Sequence, residues 1–118
     1  MNIKKFEDII AWQKAIQLAE SVYTNFKDCK DFSFRDQIQR AVISISNNIA
    51  EGFERGTNKE LKNFLFIAKG SCAEVRSMTY IARKLNYIDI KTAEEISKNT
   101  TEISMMLSGF IKKIRETL

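Results

Sequence analysis

The sequence predicts an all-α fold, an antiparallel up-down-up-down four-helix bundle, and three observations carry that reading. Proline is absent and glycine occurs only four times in 118 residues, so helix breakers are scarce. Apolar residues recur at alternating spacings of three and four along most of the chain. The polar connectors between these runs are short, which makes consecutive helices antiparallel neighbours. Hydrophobic residues make up 44% of the chain, enough to bury a core without disulfides or metal. Residues 1–118 read as one four-helix-bundle domain, with no linker, low-complexity stretch or internal repeat.

The first helix is expected from Phe6 to Phe26. Ile9, Trp12, Ile16, Ala19, Tyr23 and Phe26 form a heptad seam, with Ala15, Leu18 and Val22 as a second apolar line beside it. Lys27 to Asp31 is a polar connector. Ser33 is the expected N-cap of a second helix running from Phe34 to about Glu54, with Phe34, Ile38, Ala41, Ile45 and Ile49 buried. Gly56 suits a helix end with positive φ. Thr57-Asn58-Lys59-Glu60 is a capping box that opens a third helix reaching about Lys84. Leu61, Phe64, Leu65, Ala68, Cys72, Val75 and Ala82 mark its core face, and Asn86 its left-handed terminus. Asp89 is the expected N-cap of the last helix, which reaches about Arg115. Ala93, Ile96, Thr100, Ile103, Leu107, Phe110 and Ile114 follow its seam.

Composition also excludes chemistry. No histidine is present, which removes Ser-His-Asp and Cys-His catalysis, HExxH metal sites and imidazole acid–base chemistry. Cys29 and Cys72 fit no zinc or CxxC spacing. No apolar run is long enough for a signal peptide or a membrane span, so a reducing cytoplasm with free thiols is expected. No carboxylate pair is placed for general acid–base work, and no catalytic residue, metal or cofactor is expected. The net charge is +4, which is compatible with nucleic-acid binding.

A polar stripe runs along the second helix: Gln37, Arg40, Ser44, Asn47, Asn48, Glu51 and Arg55. It reads either as a solvated face or as an assembly surface. Asn48 follows Ala41 and Ile45 at heptad spacing, so its amide should be partly buried and needs partners. Gly70, Glu74 and Ser77 form a matching line on the third helix. In a hairpin centred near Thr57, Arg40 falls opposite Glu74, and an ion pair is expected there. Gly70 costs about 1 kcal/mol relative to alanine in a helix interior. Close approach of another backbone, in the hairpin or across a subunit interface, would explain it. Arg55, Lys59, Lys62 and Lys69 gather around the hairpin turn as candidate phosphate ligands, against the alternative of scattered solubilising charge. Arg83 and Lys84 should lie at the opposite end of the bundle from Lys112 and Arg115. Trp12, Phe64 and Phe110 read as core, so aromatic residues are not expected among these charges.

Three segments are recognisable. Phe6-Glu7-Asp8-Ile9 followed by Trp12-Gln13-Lys14-Ala15 resembles the opening of the 23S rRNA-intervening-sequence protein family of bacteria. Asp36 to Ala41 with Ser44 to Phe53, and Phe64 to Glu74, resemble its central signature. The family often has prolines before the second helix and inside that signature, where this chain has Ser33 and Ser46. The resemblance implies a four-helix bundle assembling as a ring, a homopentamer, and an association with inserts in ribosomal RNA genes. The accessory protein of diversity-generating retroelements is similar in fold and works with nucleic acid. Five copies at +4 would carry roughly +20 in one ring.

Two functions follow as expectations. The first is a non-enzymatic homo-oligomer binding RNA or DNA through Arg55, Lys59, Lys62 and Lys69. The second is a protein-interaction scaffold or accessory subunit in which Gln37, Arg40, Asn48, Glu51, Gly70 and Glu74 serve packing and assembly, and the partner is another protein. No membrane partner is expected.

Overall fold

The computed structural model describes residues 3–117, with side chains from 3 to 115. Four α-helices follow one another: α1 (Ile10–Phe26), α2 (Phe32–Glu54), α3 (Asn58–Lys84) and α4 (Ile90–Thr117). Each helix packs on its chain neighbours, and α1 closes the ring on α4. The result is the expected antiparallel bundle, a rod of 46 × 19 × 19 Å.

The core is a continuous file of aliphatic side chains from all four helices. Leu18, Ile38, Ile45, Ile49, Leu65, Ile96, Ile103, Leu107 and Ile114 are its fully buried leucines and isoleucines among the described residues. Burying each relative to exposure stabilises the fold by roughly 1.5–3 kcal/mol before entropy is counted. Three buried hydroxyls, those of Ser46, Thr79 and Thr100, return to the helix that carries them. Thr79 donates to the Val75 carbonyl at 2.7 Å and Thr100 to that of Ser97 at 2.8 Å. Ser46 donates to the Ile43 carbonyl at 3.1 Å, and α2 runs through it unbroken.

The helix ends are built by short-range chemistry. Gly56 has φ +82° and Asn86 φ +62°, the left-handed conformations expected after α2 and α3. Thr57 Oγ1 accepts from the Glu60 amide at 3.2 Å, and Asp89 Oδ1 from the Thr92 amide at 2.8 Å. That amide holds the Asp89 carboxyl below its ordinary value.

Three local expectations are corrected. Phe6–Asp8 is a separate 3-10 turn, and Ile9 is extended (ψ 118°) before α1 begins. The break turns Phe6 edge-on to Trp12, with ring centroids 5.3 Å apart. In α1 the second apolar line is the buried one, with Ala11, Ala15, Leu18, Val22 and Phe26 at its centre. Trp12, Ile16 and Ala19 are half-buried at its margin, and Tyr23 is exposed. The third correction concerns α2, which starts at Phe32 with Asp31 rather than Ser33 as its N-cap. Asp31 Oδ1 accepts from the Phe34 amide at 3.1 Å, and Oδ2 accepts from the Tyr87 hydroxyl at 2.7 Å. One carboxylate thus caps α2 and fastens it to the α3–α4 turn.

Candidate nucleic-acid interface

The hairpin of α2 and α3 holds most of the candidate residues. Its register is fixed where Ser71 Oγ donates to Ser44 Oγ at 2.9 Å. Asn48, half-buried on α2, donates from Nδ2 to both the Ser44 carbonyl (2.7 Å) and Ser44 Oγ (2.9 Å). Asn48, Ser44 and Ser71 therefore form one polar chain across the seam, which answers the demand of the buried amide for partners.

The expected ion pair between Arg40 and Glu74 is not formed among the described residues. Gln37, one turn earlier on α2, donates to Glu74 Oε2 at 3.4 Å, and Arg40 stays exposed. At an exposed site an ion pair is worth only about 0–1 kcal/mol, so charge alone does not draw the arginine across. Glu51 instead pairs with Arg55, the C-cap of α2, Oε1 to Nη2 at 3.2 Å.

Gly70 is exposed, and a Cβ built there meets nothing within 4 Å. The close approach expected of it within the hairpin is made by Gly52, where a Cβ would stand 2.6 Å from Phe64 Cβ. The hairpin counting that paired Arg40 with Glu74 sets Gly52 opposite Lys62 and so brings it only within two residues of Phe64; the rotation of the two helices decides which side chain it meets.

The four candidate cations divide between two flanks of α3. Arg55 lies over the Phe64 ring, 5.1 Å from its centroid, on the α2 side. Lys62 and Lys69 are seven residues apart, so they share one side of the helix, and both are half-buried. That side faces α4, because Arg76, seven residues further on, donates to Thr101 Oγ1 at 3.2 Å. Lys59 is exposed at the helix start. At the same end of the rod, Phe110 of α4 borders the cleft with Gly56, Thr57 and Asn58. The α2–α3 turn and the C-terminal turns of α4, with Lys112 and Lys113, are therefore neighbours. Arg83 and Lys84 sit at the far end, as the up-down topology requires.

Phe110 is half-buried against the core as expected, Phe64 is half-buried beside Gly52, and four other large apolar residues of α3 are exposed: Phe66, Ile67, Tyr80 and Ile81. These four belong neither to the core face of α3 nor to its line of Gly70, Glu74 and Ser77.

The two thiols stand in different settings. Cys72 is buried, and burial pushes its thiol up to about 12. Cys29 is half-buried, its Sγ 3.8 Å from the Asp31 carbonyl. Among the described residues no three His, Cys, Asp or Glu side chains cluster to hold a metal, and no helix is long and apolar enough to cross a membrane.

Comparison with known proteins places this geometry. No curated protein matches the chain. A crystal structure of a protein of unknown function from the S23 ribosomal protein family of Bacteroides thetaiotaomicron is similar throughout, at 26% identity with a TM-score of 0.81. The likeness covers 86% of this chain and 98% of that one. The model of the 23S rRNA-intervening sequence protein family matches residues 7–109. This chain belongs to the 23S rRNA-intervening sequence protein family.

Proposed function

We propose that the protein is a non-enzymatic homo-oligomer of the bacterial cytoplasm that binds RNA or DNA through backbone phosphates. The observation that carries this reading is the gathering of cations where the α2–α3 turn meets the last turns of α4. Arg55, Lys59 and Lys62 share that end with Lys112 and Lys113, and Lys69 continues the charge along α3. Cations gathered at one end of a narrow rod, in excess over Glu51, Glu54 and Glu60 beside them, attract polyanions, and repetition in a ring multiplies weak contacts. Self-association, in a pentamer on the family resemblance, would draw on Gln37, Arg40, Asn48, Glu51 and Glu74, with Gly70 letting a neighbouring backbone approach.

The test is fluorescence anisotropy of labelled structured RNA, duplex DNA and single strands over a series of salt concentrations. Replacing Arg55, Lys59, Lys62 and Lys69 by glutamine should weaken binding at least tenfold at low salt and flatten its salt dependence. Unchanged affinity would remove this group of residues from the interface.

One observation favours a second reading, a scaffold that binds another protein. Ile67 and Ile81 are 52% and 46% exposed on α3, and apolar side chains on an outer face suit a protein interface. Absence of nucleic-acid binding at any salt concentration would make this the leading account.

A further inference from the structure

The α4 side of α3 carries a regular surface row. Lys62, Lys69, Arg76 and Arg83 follow one another at seven-residue intervals. Seven residues make just under two helical turns, so the four cations stay on one side of the helix with a drift of about 20° per step. They stand about 10.5 Å apart and span about 31 Å. Between them, at the alternating spacing of four and three, come Phe66, Ala73 and Tyr80. Both rings are open to solvent, Phe66 42% and Tyr80 57% exposed.

Two contacts fix where this row lies. Arg76 reaches Thr101 of α4, and Arg115 of α4 lies over the Phe66 ring, 5.3 Å from its centroid. Counted in sevens from Thr101, the α4 side of the seam reads Glu94, Thr101, Ser108 and Arg115. It contributes hydroxyls, a further cation, and one carboxylate at the end where Arg83 sits. Among the described residues none of Lys62, Lys69, Arg76 and Arg83 is engaged in an ion pair. Their charge is therefore free for an external partner.

We propose that this seam binds single-stranded nucleic acid, with phosphates on the four cations and unpaired bases stacked on Phe66 and Tyr80. Cations alone would suit any polyanion. Exposed aromatic rings set between cations, at spacings that keep both on one track, select a strand whose base faces are open. A duplex offers the same phosphates and keeps its bases stacked inside. An acidic protein surface would have no use for the rings. The guanidinium over Phe66 already occupies the place where charge and ring meet, and cation–π contact of this kind accompanies base stacking.

This inference rests on the nucleic-acid reading above and makes it specific, so the experiment separates the two. Labelled mixed-sequence single strands of RNA and DNA, and duplexes of the same sequences, are titrated with the wild-type protein and three variants. Phe66→Leu with Tyr80→Leu keeps apolar bulk and removes both π-faces. Arg76→Gln with Arg83→Gln removes two cations that lie outside the hairpin turn. Phe66→Tyr with Tyr80→Phe keeps both rings. Circular dichroism and solution mass of each variant confirm an unchanged fold and assembly.

The wild type should prefer single strands. The leucine pair should weaken single-strand binding about fivefold or more, and the aromatic exchange should retain it. The glutamine pair should lower the salt slope by about 1.4, or about 0.7 per cation removed. Binding of duplex as tight as single strand, or an unaltered affinity in the leucine pair, overturns the inference and leaves phosphate binding in place. No binding by the wild type overturns both.

Discussion

Two glycines in neighbouring helices carry opposite constraints. At Gly52 a methyl group would meet the β-carbon of Phe64 at 2.6 Å, an atom fixed to its backbone that cannot swing aside. At Gly70 the same methyl group would meet nothing within 4 Å. Alanine gains about 1 kcal/mol over glycine in a helix interior. At Gly70 that gain is unopposed, and Gly70→Ala should raise the stability of the subunit by roughly 0.5–1 kcal/mol. At Gly52 it is outweighed by overpacking, and Gly52→Ala should cost about 1–3 kcal/mol. Urea denaturation of the two variants checks both signs. A stabilised Gly52→Ala would mean that α2 and α3 are not in the close contact described. Pairing two helices by residue number brings Gly52 to within two residues of Phe64, but which side chain meets the glycine depends on helix rotation, which numbering does not give. Gly70 stands out in the sequence because a glycine costs helix stability wherever it stands.

At the scale of elements, the ends of α3 and the start of α4 were readable because their determinants are local. Thr57 and Asp89 each accept an amide three residues on, and Gly56 and Asn86 take the left-handed conformation. The start of α2 was not readable, because its cap is chosen by a tertiary contact. Asp31 is held by Tyr87 from the α3–α4 turn as well as by its own helix. The Tyr87 hydroxyl foremost, and then the Phe34 amide, keep the Asp31 carboxyl below its ordinary 3.8. A carboxyl with a lowered folded value stabilises the fold above its unfolded value and loses that contribution as pH falls through the folded one. Tyr87→Phe should therefore lower the melting temperature at neutral pH and make its acid decline shallower. An acid profile parallel to wild type would show that the hydroxyl does not hold the carboxylate in solution. Tyr87 is raised by the same bond, so its contribution is present at neutral pH and fades at alkaline pH.

The line of α1 that faces the core was misjudged for a different reason. Both of its lines are apolar, and periodicity gives the width of a face without its centre. Small Ala11 and Ala15 take the centre, where helices approach closely. Trp12 and Tyr23, long and partly polar, lie at the margin or in solvent. The row on α3 lies beside a core line, Leu61, Leu65, Ala68 and Val75, that dominates the helical period, although the spacing of Phe66 and Tyr80 from Lys62, Lys69, Arg76 and Arg83 stands in the sequence.

At the scale of the whole molecule, up-down topology sorts the charges. It gathers Arg55, Lys59, Lys62, Lys112 and Lys113 at one end and sets Arg83 and Lys84 at the other, with the α3–α4 seam running between. The net charge of +4 is modest for one subunit, so placement and repetition matter more than total. Ile67 lies on a flank of α3 away from the seam, whereas Gly70, four residues from Phe66, borders it. The central claim is recognition of backbone phosphates, and the most direct measurement is the affinity of the wild-type protein for a labelled single strand as a function of salt. If the four cations of the seam each neutralise a phosphate, the logarithm of affinity should fall against the logarithm of salt concentration with a slope of about −3 per subunit engaged. A slope near zero, or no binding at the lowest salt, would contradict the claim and turn attention to the protein partner that the exposed face of α3 could hold.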